Sequence, residues 1–276
     1  MSMPGVLVDG RPADALAVAD RGLQYGDGLF ETFAVRDGRP ELWTAHLARL
    51  ARGGERLSLP LPDPGLLAAE AEQLCRGVAR GVLKLIVTRG VGGRGYAPPR
   101  PCRPTRVLSL HPWPAHPPGH ATGGVRVRWC AHPLSLNPRL AGLKHLNRLD
   151  QVLARAEWDD PTIAEGLMCD PHGHVVEGTM SNLFVLRDGR LLTPPLDGAG
   201  IAGVMREVVL EAARGLGLVV AQAALRPAEV LAADGVGLSN SVIGLWPVRE
   251  LEGRTWHAVH ADLRRLAAAV TVARGA

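Results

Sequence analysis

The chain has 276 residues, 46% hydrophobic and 21% charged, enough to bury a substantial core in one large domain or two smaller ones. Its net charge of +4 comes from arginines dispersed among Asp and Glu, and aromatics make up only 4%, which argues against a nucleic-acid surface. No apolar run is long enough to span a bilayer, Met1–Gly10 carries no secretory leader, and Cys75, Cys102, Cys130 and Cys169 form no C-x-x-C pair, so the expected setting is cytoplasmic, without zinc or disulfides.

Val6–Val8 reads as a short strand before the turn Asp9-Gly10. Leu29–Val35 alternates around Phe30, Thr32 and Ala34, and Arg36-Asp37-Gly38 reads as a hairpin turn into Glu41-Leu42-Trp43. From Thr44 the period becomes helical, with Leu47, Leu50 and Leu57 on one face, and Pro64–Arg80 reads as a second helix. Val82–Thr88 and Thr105–Leu110 are expected strands. Pro112–Gly124, rich in Pro, Gly and His, can sustain neither a helix nor a central strand and reads as a linker. Beyond it, Val125–Ala131, Ala164–Cys169, Val175–Val176 and Leu183–Leu186 are expected strands, and Asn147–Trp158 and Met205–Gly215 expected helices. Strands grouped with helices, without regular βαβ alternation, argue for an α+β fold. The expected domains are 1–111 and 125–276, joined by the linker 112–124.

Only two of the 31 basic residues are lysines, Lys84 and Lys144. A lysine that survives such a bias is a candidate for work arginine cannot do, above all Schiff-base formation, since an amine loses its proton when desolvated and a guanidinium does not. Lys144 is flanked by apolar Leu143 and Leu146 just before a helix. Glu177 ends an otherwise apolar strand, where a carboxylate is costly unless it has a cationic partner. Gly203-Val204-Met205-Arg206 places backbone amides at the opening of a helix, a natural anion site, and Arg49 offers a further cation.

Gly90-Val91-Gly92-Gly93-Arg94-Gly95 formally matches a dinucleotide-binding motif, but Pro98-Pro99 rule out the helix that motif needs. A plain turn, and a loop that aims Arg94, both stay open. His172 and His174 in a turn, and His111, His116 and His120 in the linker, lack carboxylate or cysteine companions at ligand spacing and read as solvated rather than metal-binding.

With these residues in place the chain resembles the fold-type IV pyridoxal-phosphate enzymes. The matching stretches are Asp20–Thr32, His46–Leu50, the lysine segment Leu143–Asp150, Glu177–Phe184 and Gly203–Arg206. The resemblance implies that Lys144 carries the Schiff base with pyridoxal 5′-phosphate and that Glu177 pairs with the pyridinium nitrogen. It also implies that Arg49 and the amides of Val204 and Met205 hold the phosphate, with Asn240 and Ser241 in a further phosphate-contacting turn. Thr88–Tyr96 and Ala141–Gln151 resemble the aminodeoxychorismate lyases of that family, which implies conversion of 4-amino-4-deoxychorismate to 4-aminobenzoate and pyruvate. An aminotransferase acting on D- or branched-chain amino acids is the same-fold alternative. A binding protein that kept the fold is a third reading, opposed by intact Lys144 and Glu177. The dianionic substrate calls for cations, Arg94 first, then Arg148, Arg21 and Lys84, with Tyr25 and Thr32 lining the pocket. The family also implies a homodimer.

Overall fold

The computed structural model describes residues 5–275, so Met1–Pro4, within the stretch read for a leader, lie outside the described residues. Two compact units emerge. One runs to Ala115 and includes Leu143–Asn147; the other comprises His116–Gly142 and the chain from Arg148 onward. This departs from the expected division in two respects. The boundary falls at Ala115, and the lysine segment packs with the first unit although both its flanks belong to the second. No helix among the described residues is long and apolar enough to cross a membrane.

The first unit holds β1 (Val6–Val8), β2 (Arg11–Pro12), α1 (Arg21–Tyr25), β3 (Gly28–Arg36), β4 (Arg39–Pro40), α2 (Trp43–Leu57), α3 (Pro64–Cys75), β5 (Arg80–Thr88) and β6 (Thr105–Pro112). The strands form an antiparallel sheet in the order β2-β1-β6-β5-β3-β4. Period-two alternation in β5 buries Leu83, Leu85 and Val87 completely, and these meet Leu50, Leu67, Ala71 and Cys75 of α2 and α3. In β3 the core-facing set is Leu29, Glu31, Phe33 and Val35, so the expected alternation around Phe30 and Thr32 marks the opposite face. Helix α3 starts where Asp63 accepts the amides of Gly65 and Leu66 at 2.9 and 3.0 Å with Pro64 at the first position. It ends at Cys75, short of the expected Arg80, because Val78 and Ala79 give their carbonyls to Gly38 and Asp37. β6 likewise runs into the expected linker, to Pro112.

The second unit holds α4 (His120–Gly123), β7 (Val125–Trp129), α5 (Leu149–Arg155), β8 (Ile163–Cys169), β9 (Val175–Gly178), β10 (Asn182–Arg187), β11 (Arg190–Thr193), α6 (Val204–Gly215), β12 (Val219–Gln222), α7 (Pro227–Leu231), β13 (Gly235–Asn240), β14 (Gly244–Leu251), β15 (Arg254–Thr255) and α8 (Ala261–Ala273). Its sheet follows the order β12-β11-β10-β13-β14-β7-β8-β9, with β15 on β14. A further pairing of β9 with β10 closes six of these strands into a ring, and the closing pair is Glu177 opposite Asn182. Leu167, Val175, Leu183, Val185, Val236 and Leu238 fill the core beside Trp246 and Trp256. Helix α5 is shorter than expected. Asn147 belongs to the first unit, where its side-chain amide donates to the Gly26 carbonyl at 3.1 Å.

The buried stripe of α2 is polar. Beside Leu50 it presents His46 and Arg49, while Leu47 and Leu57 are only half-buried. The cause is Glu31, 1% exposed on the facing strand. Its carboxylate accepts Arg49 Nε at 2.8 Å, pairs with an Arg49 Nη, and lies 2.6 Å from His46 Nδ1. Burial would raise the pKa of Glu31, but the charge and hydrogen bonds of Arg49, with those of His46, overcome this and hold it at about 2. Burial pushes His46 down, and the charges of Arg49 and Lys144 push the same way against Glu31. Because the folded value of Glu31 lies below the ordinary one of 4.5, the unfolded chain binds more protons between the two. This stabilisation is complete above that ordinary value and is lost as pH falls toward 2. The difference corresponds to roughly 3 kcal/mol. Denaturant unfolding of the parent and of Glu31→Gln across acid pH should show the gap between them closing by about that amount as pH drops. Parallel curves would rule out a charged Glu31 as the anchor of α2.

Candidate active site

In the first unit the lysine segment lines the start of β3. The amide of Phe30 donates to the Lys144 carbonyl at 2.9 Å, the amide of Leu146 donates to the Gly28 carbonyl at 3.1 Å, and Leu29 bridges His145. These short pairings fix Lys144 without a helix or strand of its own. Its Nζ lies 4.3 Å from the centroid of the Phe30 ring. The other lysine, Lys84, has its Nζ 5.5 Å from the same ring. Lys84 is the cross-strand partner of Thr32, so Phe30, Thr32 and Lys84 share one sheet face. Arg49 and Lys144 bring two positive charges to bear on His46 against the single carboxylate of Glu31, which leaves this region electropositive.

In the second unit Glu177 is 3% exposed. Its Oε2 accepts the amide of Ile201 at 2.8 Å and the side-chain amide of Asn182 at 3.3 Å. The same Asn182 nitrogen donates to the Ile201 carbonyl at 2.8 Å. Ile201 leads into α6 through Gly203, the N-cap residue, which has no side chain to cap Val204 and Met205. A Cβ on Gly203 would lie 2.1 Å from Asn182 Oδ1, so only glycine allows this approach. One asparagine thus ties the Glu177 carboxylate to the uncapped opening of a twelve-residue helix. Register places Ser239 opposite Asn182, on the face that Glu177 also occupies, and the Ser239 hydroxyl is buried without a hydrogen-bond partner among the described residues. A buried orphan hydroxyl beside an uncapped helix start suits an anionic ligand that supplies acceptors.

Asn240 spends its side chain on a turn, accepting the amides of Val242 and Ile243 at 2.9 Å each and donating to the Met180 carbonyl, and this turn holds Ser241. The Ser241 carbonyl accepts from Arg274 at 2.9 Å. Arg148 lies where burial depresses it and the charge of Glu177 acts to hold its proton. Tyr25 and Arg21 belong to a cluster around the glycine loop, which opens no helix; Arg94 is exposed on that loop. Arg206 anchors the start of α6 to the Pro194 carbonyl at 3.2 Å.

Sequence reasoning passed over Glu31, His46, Asn182 and Glu165. Glu165 is 2% exposed and accepts from the amides of Gly166, Thr179 and Met180 and the hydroxyls of Thr179 and Ser181, so it secures the turn between β9 and β10. Burial still raises its pKa against those bonds. The signal was present: a carboxylate in an apolar strand, the criterion that singled out Glu177.

The comparisons with known proteins converge on one family. The model of amino-transferase class IV matches residues 28–251. The chain is 37% identical over 241 residues to an aminodeoxychorismate lyase of Vibrio harveyi, covering 87% of this chain and 89% of that one. It resembles the crystal structure of 4-amino-4-deoxychorismate lyase from Pseudomonas aeruginosa at 53% identity and a TM-score of 0.90, over 95% and 96% of the two chains. A hypothetical aminotransferase from Mycobacterium tuberculosis in its PLP-bound form is similar at 27% identity and a TM-score of 0.84, over 98% of each chain. The α+β architecture, the uncapped helix at Gly203 and the matched span together place this chain in the class IV aminotransferase family.

Proposed function

We propose that this chain is a pyridoxal-phosphate lyase that converts 4-amino-4-deoxychorismate to 4-aminobenzoate and pyruvate. The reading is supported by the likeness to the Vibrio harveyi and Pseudomonas aeruginosa lyases and carried by one observation, Lys144 fixed on β3 with its amine over Phe30. The residues fit the cofactor. Lys144 offers the amine, and Glu177 a buried carboxylate for a protonated ring nitrogen. Val204 and Met205 offer helix-opening amides, and Arg49 positive charge, for the phosphate, with Ser239 and the Asn240–Ser241 turn as further donors.

When bound, pyridoxal phosphate supplies a carbonyl that condenses with amines and a ring that takes up electrons. With the cofactor bound, the Lys144 amine would take the proton from the amine-bearing ring carbon. It returns a proton to the departing side chain, which leaves as pyruvate, and the remaining ring becomes aromatic. Burial, helped by the charges of Arg49 and Lys144, holds the pKa of His46 below its ordinary value against Glu31. Thr32 and Lys84, on the face that carries Phe30, meet one end of the dianion, and Arg94 on the glycine loop meets a carboxylate. Scattered cysteines are the ground for a cytoplasmic setting, and the family for a homodimer.

Lys144→Ala should lower 4-aminobenzoate formation at least a thousandfold while leaving the fold intact by circular dichroism. Normal turnover would sink the mechanism. Asn182→Ala should weaken pyridoxal-phosphate binding about tenfold or more, read by equilibrium titration of cofactor absorbance, because Glu177 and the α6 opening lose their common tie. Mixing the holoenzyme with D-alanine or leucine and 2-oxoglutarate separates the aminotransferase reading, since only an aminotransferase completes both half-reactions.

A further inference from the structure

Arg21 is 3% exposed. Its Nε donates to Asp27 Oδ2 at 2.9 Å. Its Nη1 donates to the carbonyls of Gly95 at 3.0 Å and Ala97 at 3.4 Å, and its Nη2 to that of Tyr96 at 3.0 Å. Tyr25 stacks 4.8 Å from the guanidinium, and its hydroxyl accepts the amide of Gly95 at 3.2 Å. At the other end of the loop, the amide of Arg21 donates to the Gly90 carbonyl, the amide of Gly92 to the Ala19 carbonyl, and the Cys102 thiol to the Arg89 carbonyl. Gly90 sits at φ +81° with the Arg103 carbonyl 1.8 Å from where a Cβ would stand, so the two ends of the loop cross there.

Residues 92–104 have no strand or helix to satisfy their carbonyls, so those of Gly95, Tyr96 and Ala97 depend on an outside donor. A guanidinium suits this task because its planar fork holds one carboxylate and several carbonyls at once, which a single ammonium does not. Asp27 adds a second tie. It accepts Arg89 Nε at 2.8 Å, and Arg89 donates to the carbonyls of Leu57 and Ser58 where α2 ends. The loop base is therefore joined to the helix that carries Arg49 and His46.

We propose that Arg21 is a positioning residue that clamps the carbonyls of Gly95, Tyr96 and Ala97, so that the loop stands as a fixed arm presenting Arg94 to an anionic substrate. The first half rests on the bonds just described, and the second on the reading of Arg94 given under the proposed function.

The test uses the holoenzyme of the parent, Arg21→Ala, Arg21→Lys, Arg94→Ala and the Arg21→Ala/Arg94→Ala pair, with melting curves to confirm folding. Trypsin reports on the loop. Arg100 and Arg103 both precede proline and are poor sites, and Arg89 is buried, which leaves the Arg94–Gly95 bond. Both Arg21 variants should be cut there about tenfold faster. Arg21→Lys keeps the charge facing Asp27 and so guards against a variant that fails to fold. Arg21→Ala should raise KM for aminodeoxychorismate about tenfold with kcat within about twofold, and should add nothing to the KM of Arg94→Ala. Unchanged cleavage in both Arg21 variants overturns the clamp. A KM increase that adds in full to that of Arg94→Ala overturns action through Arg94. Unchanged KM in Arg94→Ala overturns the reading of Arg94 itself, while the cleavage rate still decides the clamp.

Discussion

Burying a carboxylate is the constraint around which this protein is built. An unpaired buried charge costs several kcal/mol, so each one must be met by donors held in place, and those donors fix the backbone around them. Glu31 is met by Arg49 and His46, which turns the polar side of α2 toward the sheet. Glu177 is met by Asn182 and the amide of Ile201, which fixes the approach to α6. Glu165 is met by five donors, which fixes the turn between the strands of Glu177 and Asn182. Half-buried Asp27 is met by Arg21 and Arg89, whose hydrogen bonds offset its burial and lower its pKa.

The ring of strands in the second unit gives that constraint a mechanical form. The pair that closes it, Glu177 with Asn182, is the pair whose side chains meet. A strand pairing ordinarily stabilises through its backbone and leaves its side chains free to vary. Here the side chains on the closing pair are themselves fixed by the opening of α6, so the closure tolerates little change in residue type. The buried Ser239 hydroxyl extends the same row by one strand.

The strands and the larger helices were legible because their apolar period is strong, as in Leu83, Leu85 and Val87. Lys144 was legible because lysine is scarce, and Glu177 because a carboxylate interrupts an apolar strand. What stayed hidden depends on tertiary pairing. His46 looks like part of the solvated side of an amphipathic helix until Glu31 is seen opposite it. Asn182 looks like the polar start of a strand until the ring closes on it. Tyr25 and Arg21 bind a loop about seventy residues away, a distance no local pattern reports. The lysine segment changes units for five residues, which hydrophobic periodicity cannot show because the segment has neither period.

Both lysines of the chain lie against one aromatic ring. Amine-directed labelling is thereby restricted, apart from the chain's own α-amine, to a single neighbourhood. Carbon-13 methyl groups placed on the two side chains by reductive methylation would give two resonances, each displaced by the ring current of Phe30. The arginine habit of the surface has left this molecule with a built-in pair of spectroscopic reporters, one on the residue expected to react and one beside the ring it shares.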